Sequence, residues 1–150
     1  MLDEKQIFLD VKAETKNDIL SFISHQAYEL GITDDEQALC HDFKEREKEF
    51  STGLQDGFAI PHARSENVKK VAIMYLRNEK DIDWESLDDE PVRYIFALLV
   101  PIHYEGNVHL KMISKLATCL LEDDFKNKVK SSDNKTELKK YIQRKMEEGD

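Results

Sequence analysis

The chain reads as a single α/β domain over residues 1–150, a mixed β-sheet of about four to five strands flanked by helices on both faces. Three observations predict it. Val92 to Val100 is an unbroken apolar run, the pattern of a central strand covered on both faces. Ile7, Leu9 and Val11 alternate with polar residues, the period of a half-buried strand. Between and after such runs, apolar residues recur at helical spacing, as in Ile19-Leu20-Phe22-Ile23-Ala27-Leu30 and Leu138-Tyr141-Ile142.

In chain order, a first strand over residues 7–11 leads to Thr15, which with Asp18 three residues on resembles a capping box and opens a helix stopped by Gly31. Thr33 or Asp34 can cap a second helix running through Ala38, Leu39 and Phe43 to about Lys48. Residues 49–56 read as a loop and 57–60 as a short strand, which Pro61 should end because proline cannot donate to a ladder. Val71 to Leu76 is a strand, followed by a polar excursion through Asp83-Trp84 and then the central strand, closed by Pro101. Asn107 is a plausible cap for a long helix ending near Leu121. Phe125 to Val129 makes a brief helical turn, and Asn134 to Glu147 a terminal helix. No repeat or low-complexity tract interrupts this order.

A chain of 150 residues is long enough to bury roughly 68–70% of its unfolded surface. Hydrophobic residues make up 40% and charged residues 35%, and the net charge of −9 argues against nucleic acid, whose phosphates require a basic face. The same acidity suits a carrier that docks on basic patches of other proteins. Cys40 and Cys119 lack CxxC spacing and read as buried free thiols in helices rather than a disulfide or a metal site. Met1-Leu2-Asp3-Glu4-Lys5 shows no basic region followed by an apolar stretch, and the longest apolar run, Ile95 to Ile102, is too short to cross a bilayer. A cytoplasmic location is expected.

The chemistry concentrates in Gly57-Phe58-Ala59-Ile60-Pro61-His62-Ala63-Arg64. Ile60 precedes a proline and is pushed towards extended backbone, so His62 is offered at the carboxyl end of a strand, where open α/β sheets usually place ligands. A histidine on stiff backbone suits nucleophilic or proton-transfer work, although spacing alone fits a turn histidine equally well. His109 falls in the first turn of the helix after Asn107, where free N–H groups attract a phosphoryl group. Arg46 can fork two hydrogen bonds onto phosphate oxygens, which Lys cannot match. The competing reading of Arg46 is a solvated charge on a helix face that also carries Lys44, Glu45, Glu47, Lys48 and Glu49. Ser51 and Thr52 could offer hydroxyls or backbone N–H groups to phosphate, and a turn role fits them as well. Arg64 ranks below Arg46 as a phosphate ligand. His25 and His41 read as surface or core-edge residues, and His103 as a lesser candidate for a supporting role.

Arg46-Glu47, Ser51-Thr52-Gly53 and Gly57 to Ala63, with a second block from Pro101 through His109-Leu110-Lys111 to Leu120, closely resemble the two active-site segments of the enzyme IIA domains of the phosphoenolpyruvate-dependent sugar phosphotransferase system, fructose/mannitol type. The resemblance runs from about Ile7 to Ile142. It departs at Gln55, where the family commonly has glycine. It implies an α/β fold and a phosphotransferase component with a phosphohistidine intermediate. His62 would be the phosphoryl acceptor through Nε2, His109 the second active-site residue, and Arg46 a phosphoryl ligand. It also implies the histidine-containing phosphocarrier protein HPr as donor and a cysteine of an enzyme IIB domain as acceptor, with a membrane IIC domain engaged only indirectly. Neither a Walker loop nor metal-ligand spacing is present, so no cofactor or metal is expected. Two other classes compete: a regulatory module of the nitrogen-related branch, whose phosphohistidine signals state, and a hydrolase using His62 as general base with a carboxylate such as Glu47.

Overall fold

The computed structural model describes residues 1–148, so the last two residues of the single-domain reading lie outside the described residues. A short 3-10 turn, Glu4–Gln6, precedes β1 (Ile7–Val11); then follow α1 (Lys16–Glu29), α2 (Glu36–Glu49), β2 (Phe58–Ala59), β3 (His62–Ser65), β4 (Ala72–Ile82), β5 (Val92–Pro101), α3 (Gly106–Cys119), α4 (Asp123–Ser131) and α5 (Lys135–Glu147). The five strands form one mixed sheet in the order β1-β4-β5-β2, with β3 also on β5. β4 and β5 are antiparallel, and every other pairing is parallel.

Strand alternation builds a core on each side. Ala72, Met74 and Leu76 of β4 and Ile95, Ala97 and Leu99 of β5 pack with Ile19, Leu20, Ile23 and Ala27 of α1 and Leu39 and Phe43 of α2. Ile73, Tyr75, Phe96, Leu98 and Val100 face the other way, onto Met112, Leu116, Phe125, Val129, Leu138 and Ile142 of α3, α4 and α5. Each fully buried Leu, Ile or Phe stabilises such a core by about 1.5–3 kcal/mol. The expected mixed sheet with helices on both faces is thus the observed one.

Several local expectations need correction. The Thr15 capping box forms as read, with its side chain accepting from Asp18 N–H. For α2 the cap is Asp35, whose carboxylate accepts from Ala38 N–H at 3.0 Å, and not Thr33 or Asp34. Asn107 is inside α3, whose N-cap is Glu105 with no side-chain cap bond. β4 runs to Ile82, and α4 is a helix of nine residues rather than a brief turn. Cys119 is buried, whereas Cys40 is only half-buried, and both are free.

The short strand does end before Pro61, but pairing resumes directly beyond it. Phe58 lies opposite Tyr94 and His62 opposite Leu98, so β3 continues β2 on the same neighbour in unbroken register. The missing Pro61 N–H would face β5, as its carbonyl does in accepting from Leu98 N–H at 3.0 Å, so the ladder loses one bond there and is interrupted only locally. His62 therefore opens a second strand segment instead of hanging off the end of the first. Gln55 keeps an ordinary negative φ; the left-handed positions of this turn are Asp56 (φ 58) and Gly57 (φ 83). The departure at Gln55 is accommodated, and its amide donates to the Leu120 carbonyl at 3.2 Å.

Candidate active site

At this edge α2 and α3 approach from opposite faces, and His62, Arg46, Arg64 and His109 line one cavity of about 420 Å³. His62 is 6% exposed. Its Nδ1 is 2.8 Å from the Ile60 carbonyl oxygen, which can only accept, so Nδ1 carries the proton. Nε2 then holds the lone pair and accepts from Arg46 Nε–H at 3.0 Å. The tautomer follows from this network. Arg46 is braced in turn by Nη1 donating to the Phe50 carbonyl at 3.0 Å.

Burial is the main cause that pushes the His62 pKa from 6.5 down to about 4, with the charges of Arg46 and His109 acting the same way. His109 is also lowered, by burial and then by Arg64 and Arg46. Both rings are therefore neutral at pH 7. Their centroids are 5.1 Å apart, and His109 Nε2 is shut from water without a hydrogen-bond partner among the described residues. An orphaned ring nitrogen beside a nucleophilic one can take up a bond to an incoming group.

Arg64 Nη2 donates to the carbonyls of Ile102 and Tyr104 at 3.0 and 2.7 Å, which ties the loop before α3 to β3. Ser51 and Thr52 stand apart from the cavity. Ser51 Oγ donates to the Glu85 carbonyl at 2.6 Å, and the Thr52 hydroxyl is bonded to Glu47. Glu47, the carboxylate that a hydrolytic reading pairs with His62, is engaged by Thr52 and by Lys16 Nζ at 2.8 Å. His103 packs on Tyr104 and does not line the cavity. Unforeseen are Asp42, Glu45, Glu49 and Glu66, which line it too. Asp42, Glu45 and Glu49 share helical spacing with Arg46, a signal that the charge-rich run hid.

The burial of neutral His62 makes a pH prediction. The folded pKa lies below the ordinary value, so between about pH 6.5 and 4 the unfolded chain binds the proton and the native one does not. Stability is full above this window and falls as pH drops through it, by the order of 3 kcal/mol from this ring. In an NMR titration the His62 ring should show no midpoint near pH 6.5. A midpoint there would show that the ring is not desolvated.

A neutral imidazole whose unprotonated Nε2 lies against a guanidinium on an open α/β edge is an arrangement suited to phosphoryl transfer. Comparison with known proteins names the family. Residues 1–145 match the model described as "Phosphoenolpyruvate-dependent sugar phosphotransferase system, EIIA 2", and the chain belongs to this family. It is 33% identical over 129 residues to the PTS system fructose-specific EIIA component of Haloferax volcanii, spanning 86% of this chain and 83% of that protein. Among solved structures, nitrogen regulatory protein IIA-Ntr from Neisseria meningitidis has a TM-score of 0.86 at 27% identity, covering 94% of this chain and 95% of that one. Enzyme IIAMTL from Escherichia coli, solved in complex with phosphorylated enzyme IIBMTL, shares the fold with a TM-score of 0.75 at 19% identity, covering 94% of this chain and 99% of that one. The resemblance to this family is thereby borne out, and the chain is an EIIA phosphotransfer component. No helix among the described residues is long and apolar enough to cross a membrane.

Proposed function

We propose that this EIIA component carries a phosphoryl group on His62 Nε2, accepting it from phospho-HPr and passing it to a cysteine of an enzyme IIB partner in uptake of a fructose/mannitol-class sugar or polyol. One observation carries the reading: the Nδ1–H bond to Ile60 leaves the Nε2 lone pair facing the cavity under Arg46. In the first step that lone pair attacks phosphorus, the donor's P–N bond breaks, and its electron pair returns to the donor imidazole. In the second, the IIB thiolate attacks and the P–Nε2 pair returns to His62. Nδ1 keeps its proton throughout. Transfer through a loose transition state demands mainly positioning and charge neutralisation, which Arg46 and Arg64 supply. The acidic lining from α2 favours a basic partner surface around the site. The fructose-specific relative and the IIA–IIB complex of the mannitol protein support the sugar class and the acceptor.

The test is incubation with phosphoenolpyruvate, enzyme I and HPr, followed by intact mass and a chase with IIB. One added phosphoryl group that IIB removes is expected. Uptake with no discharge to any sugar-linked IIB would favour the nitrogen-related regulatory reading, to which the IIA-Ntr likeness belongs.

His109 enters as the second histidine, its unpartnered Nε2 available to the phosphoryl oxygens. His109→Ala should still phosphorylate on His62 but about 10²-fold more slowly, in line with loss of one donor to developing charge. Fragmentation mass spectrometry locating phosphate on His109 would reverse the two roles.

A further inference from the structure

We propose that Glu47 is a positioning residue for His62: through Thr52 and Ile60 it holds the imidazole tautomer that leaves Nε2 unprotonated. The inference builds on His62 as acceptor, while its primary readout does not depend on phosphotransfer. Glu47 is 8% exposed. A buried carboxylate is retained only where its oxygens are engaged. One oxygen accepts Thr52 N–H at 3.2 Å, the other accepts the Thr52 hydroxyl, and Lys16 Nζ lies at 2.8 Å. The Lys16 ammonium is itself 5.2 Å from the centre of the Trp84 ring, which fixes the far side of the pair.

From Thr52 the path returns to the site in two steps. The Thr52 carbonyl accepts Ile60 N–H at 3.0 Å. The Ile60 carbonyl accepts His62 Nδ1–H at 2.8 Å. The links join different peptide groups, so they transmit position rather than charge. Behind the loop, Ser51 Oγ is bonded to the Glu85 carbonyl at 2.6 Å, and a Cβ on Gly53 would meet that same oxygen at 2.2 Å. The loop therefore has backbone on one side and the Glu47 carboxylate on the other. Arg46 and Glu47 are consecutive on α2 and point about 100° apart. One covers Nε2 directly, and the other sets the carbonyl that orients Nδ1.

The wrong tautomer puts a proton on the attacking nitrogen and removes its lone pair, a defect known to be costly in histidine catalysis. A role confined to packing would leave the tautomer alone. The experiment is a nitrogen–proton correlation spectrum of the His62 ring at pH 7, with phosphorylation kinetics from HPr. Wild type should show Nδ1 protonated and Nε2 bare. Glu47→Gln and Thr52→Val, the second nearly isosteric and lacking the hydroxyl, should both mix in the Nε2–H tautomer. Both should slow phosphorylation about tenfold with KM for HPr unchanged. Thr52→Ser, which keeps the hydroxyl, should restore the wild-type spectrum and rate. A pure Nδ1–H tautomer in Glu47→Gln and Thr52→Val would overturn the inference; if Glu47→Gln does not fold, Thr52→Val decides. If the tautomer shifts but His62 takes up no phosphate, it is the carrier function that fails and not the positioning.

Discussion

His62→Ala is expected to take up no phosphoryl group from the complete donor system under conditions where the wild type takes up one. The expectation follows from the site having one bare ring nitrogen covered by a guanidinium: Nε2 of His62, with Arg46 at 3.0 Å. Its neighbour His109 is also neutral, so the loss must be checked by site and not only by mass. The wild-type adduct should be acid-labile and base-stable, as phosphohistidine is. Folding should survive, although His62 is a buried residue and not a free strand-end side chain. The deletion strands the Ile60 carbonyl, at a cost of about 1–3 kcal/mol against a typical stability of about 5–15 kcal/mol. A circular dichroism spectrum and melt on the mutant separate loss of chemistry from loss of fold. Uptake at the wild-type rate in a folded His62→Ala would remove His62 from the reaction.

The layers of the fold were legible because hydrophobic period encodes them directly. Val92–Val100 had to be covered on both faces, and from Ile95 to Val100 its odd and even residues do feed opposite cores. What the period could not show was register across Pro61. The proline removes one donor to β5, yet its carbonyl keeps its ladder bond, and only the pairing beyond it reveals that the strand resumes. The Thr15 capping box formed as read, but the caps of α2 and α3 did not. Asn107 has the right chemistry to cap, but the backbone enters α3 at Glu105, after a loop whose Ile102 and Tyr104 carbonyls are held by Arg64. In the site, His62, Arg46, Arg64 and His109 converge from three elements, β3, α2 and α3, whereas Ser51 and Thr52, nearer to His62 in sequence than either Arg46 or His109, do not reach the cavity. Sequence proximity misled there, because a buried charge at Glu47 claims the Thr52 hydroxyl and turns that residue into scaffold. The backbone carbonyls that orient the machinery, Ile60 under His62 and Phe50 under Arg46, have no side-chain signature at all.

Arg46→Ala is expected to slow phosphoryl transfer from HPr by about 10²–10³-fold, the range for losing a charged donor aimed at developing charge. Two features of the structure raise this above the effect of an ordinary helix-surface arginine. Its Nε–H is already hydrogen-bonded at 3.0 Å to the nitrogen that attacks, so the guanidinium is beside the place where phosphorus must arrive. Its Nη1 is anchored on the Phe50 carbonyl, which costs the side chain its freedom before the donor docks. In the resting protein Arg46 caps the Nε2 lone pair; as the phosphoryl group approaches, the same N–H must leave the ring and turn onto an oxygen. Lys can supply the charge but not the planar fork, so Arg46→Lys should recover only part of the lost rate. A purely solvated arginine predicts the opposite pattern, with both variants within about 0.5 kcal/mol of wild-type stability and unchanged in transfer. Rapid-quench kinetics on the two variants decide between these. Because Arg46 also lowers the His62 pKa, Arg46→Ala should raise the ring's midpoint from about 4, so slow transfer accompanied by that rise locates the defect at the nucleophile's own nitrogen.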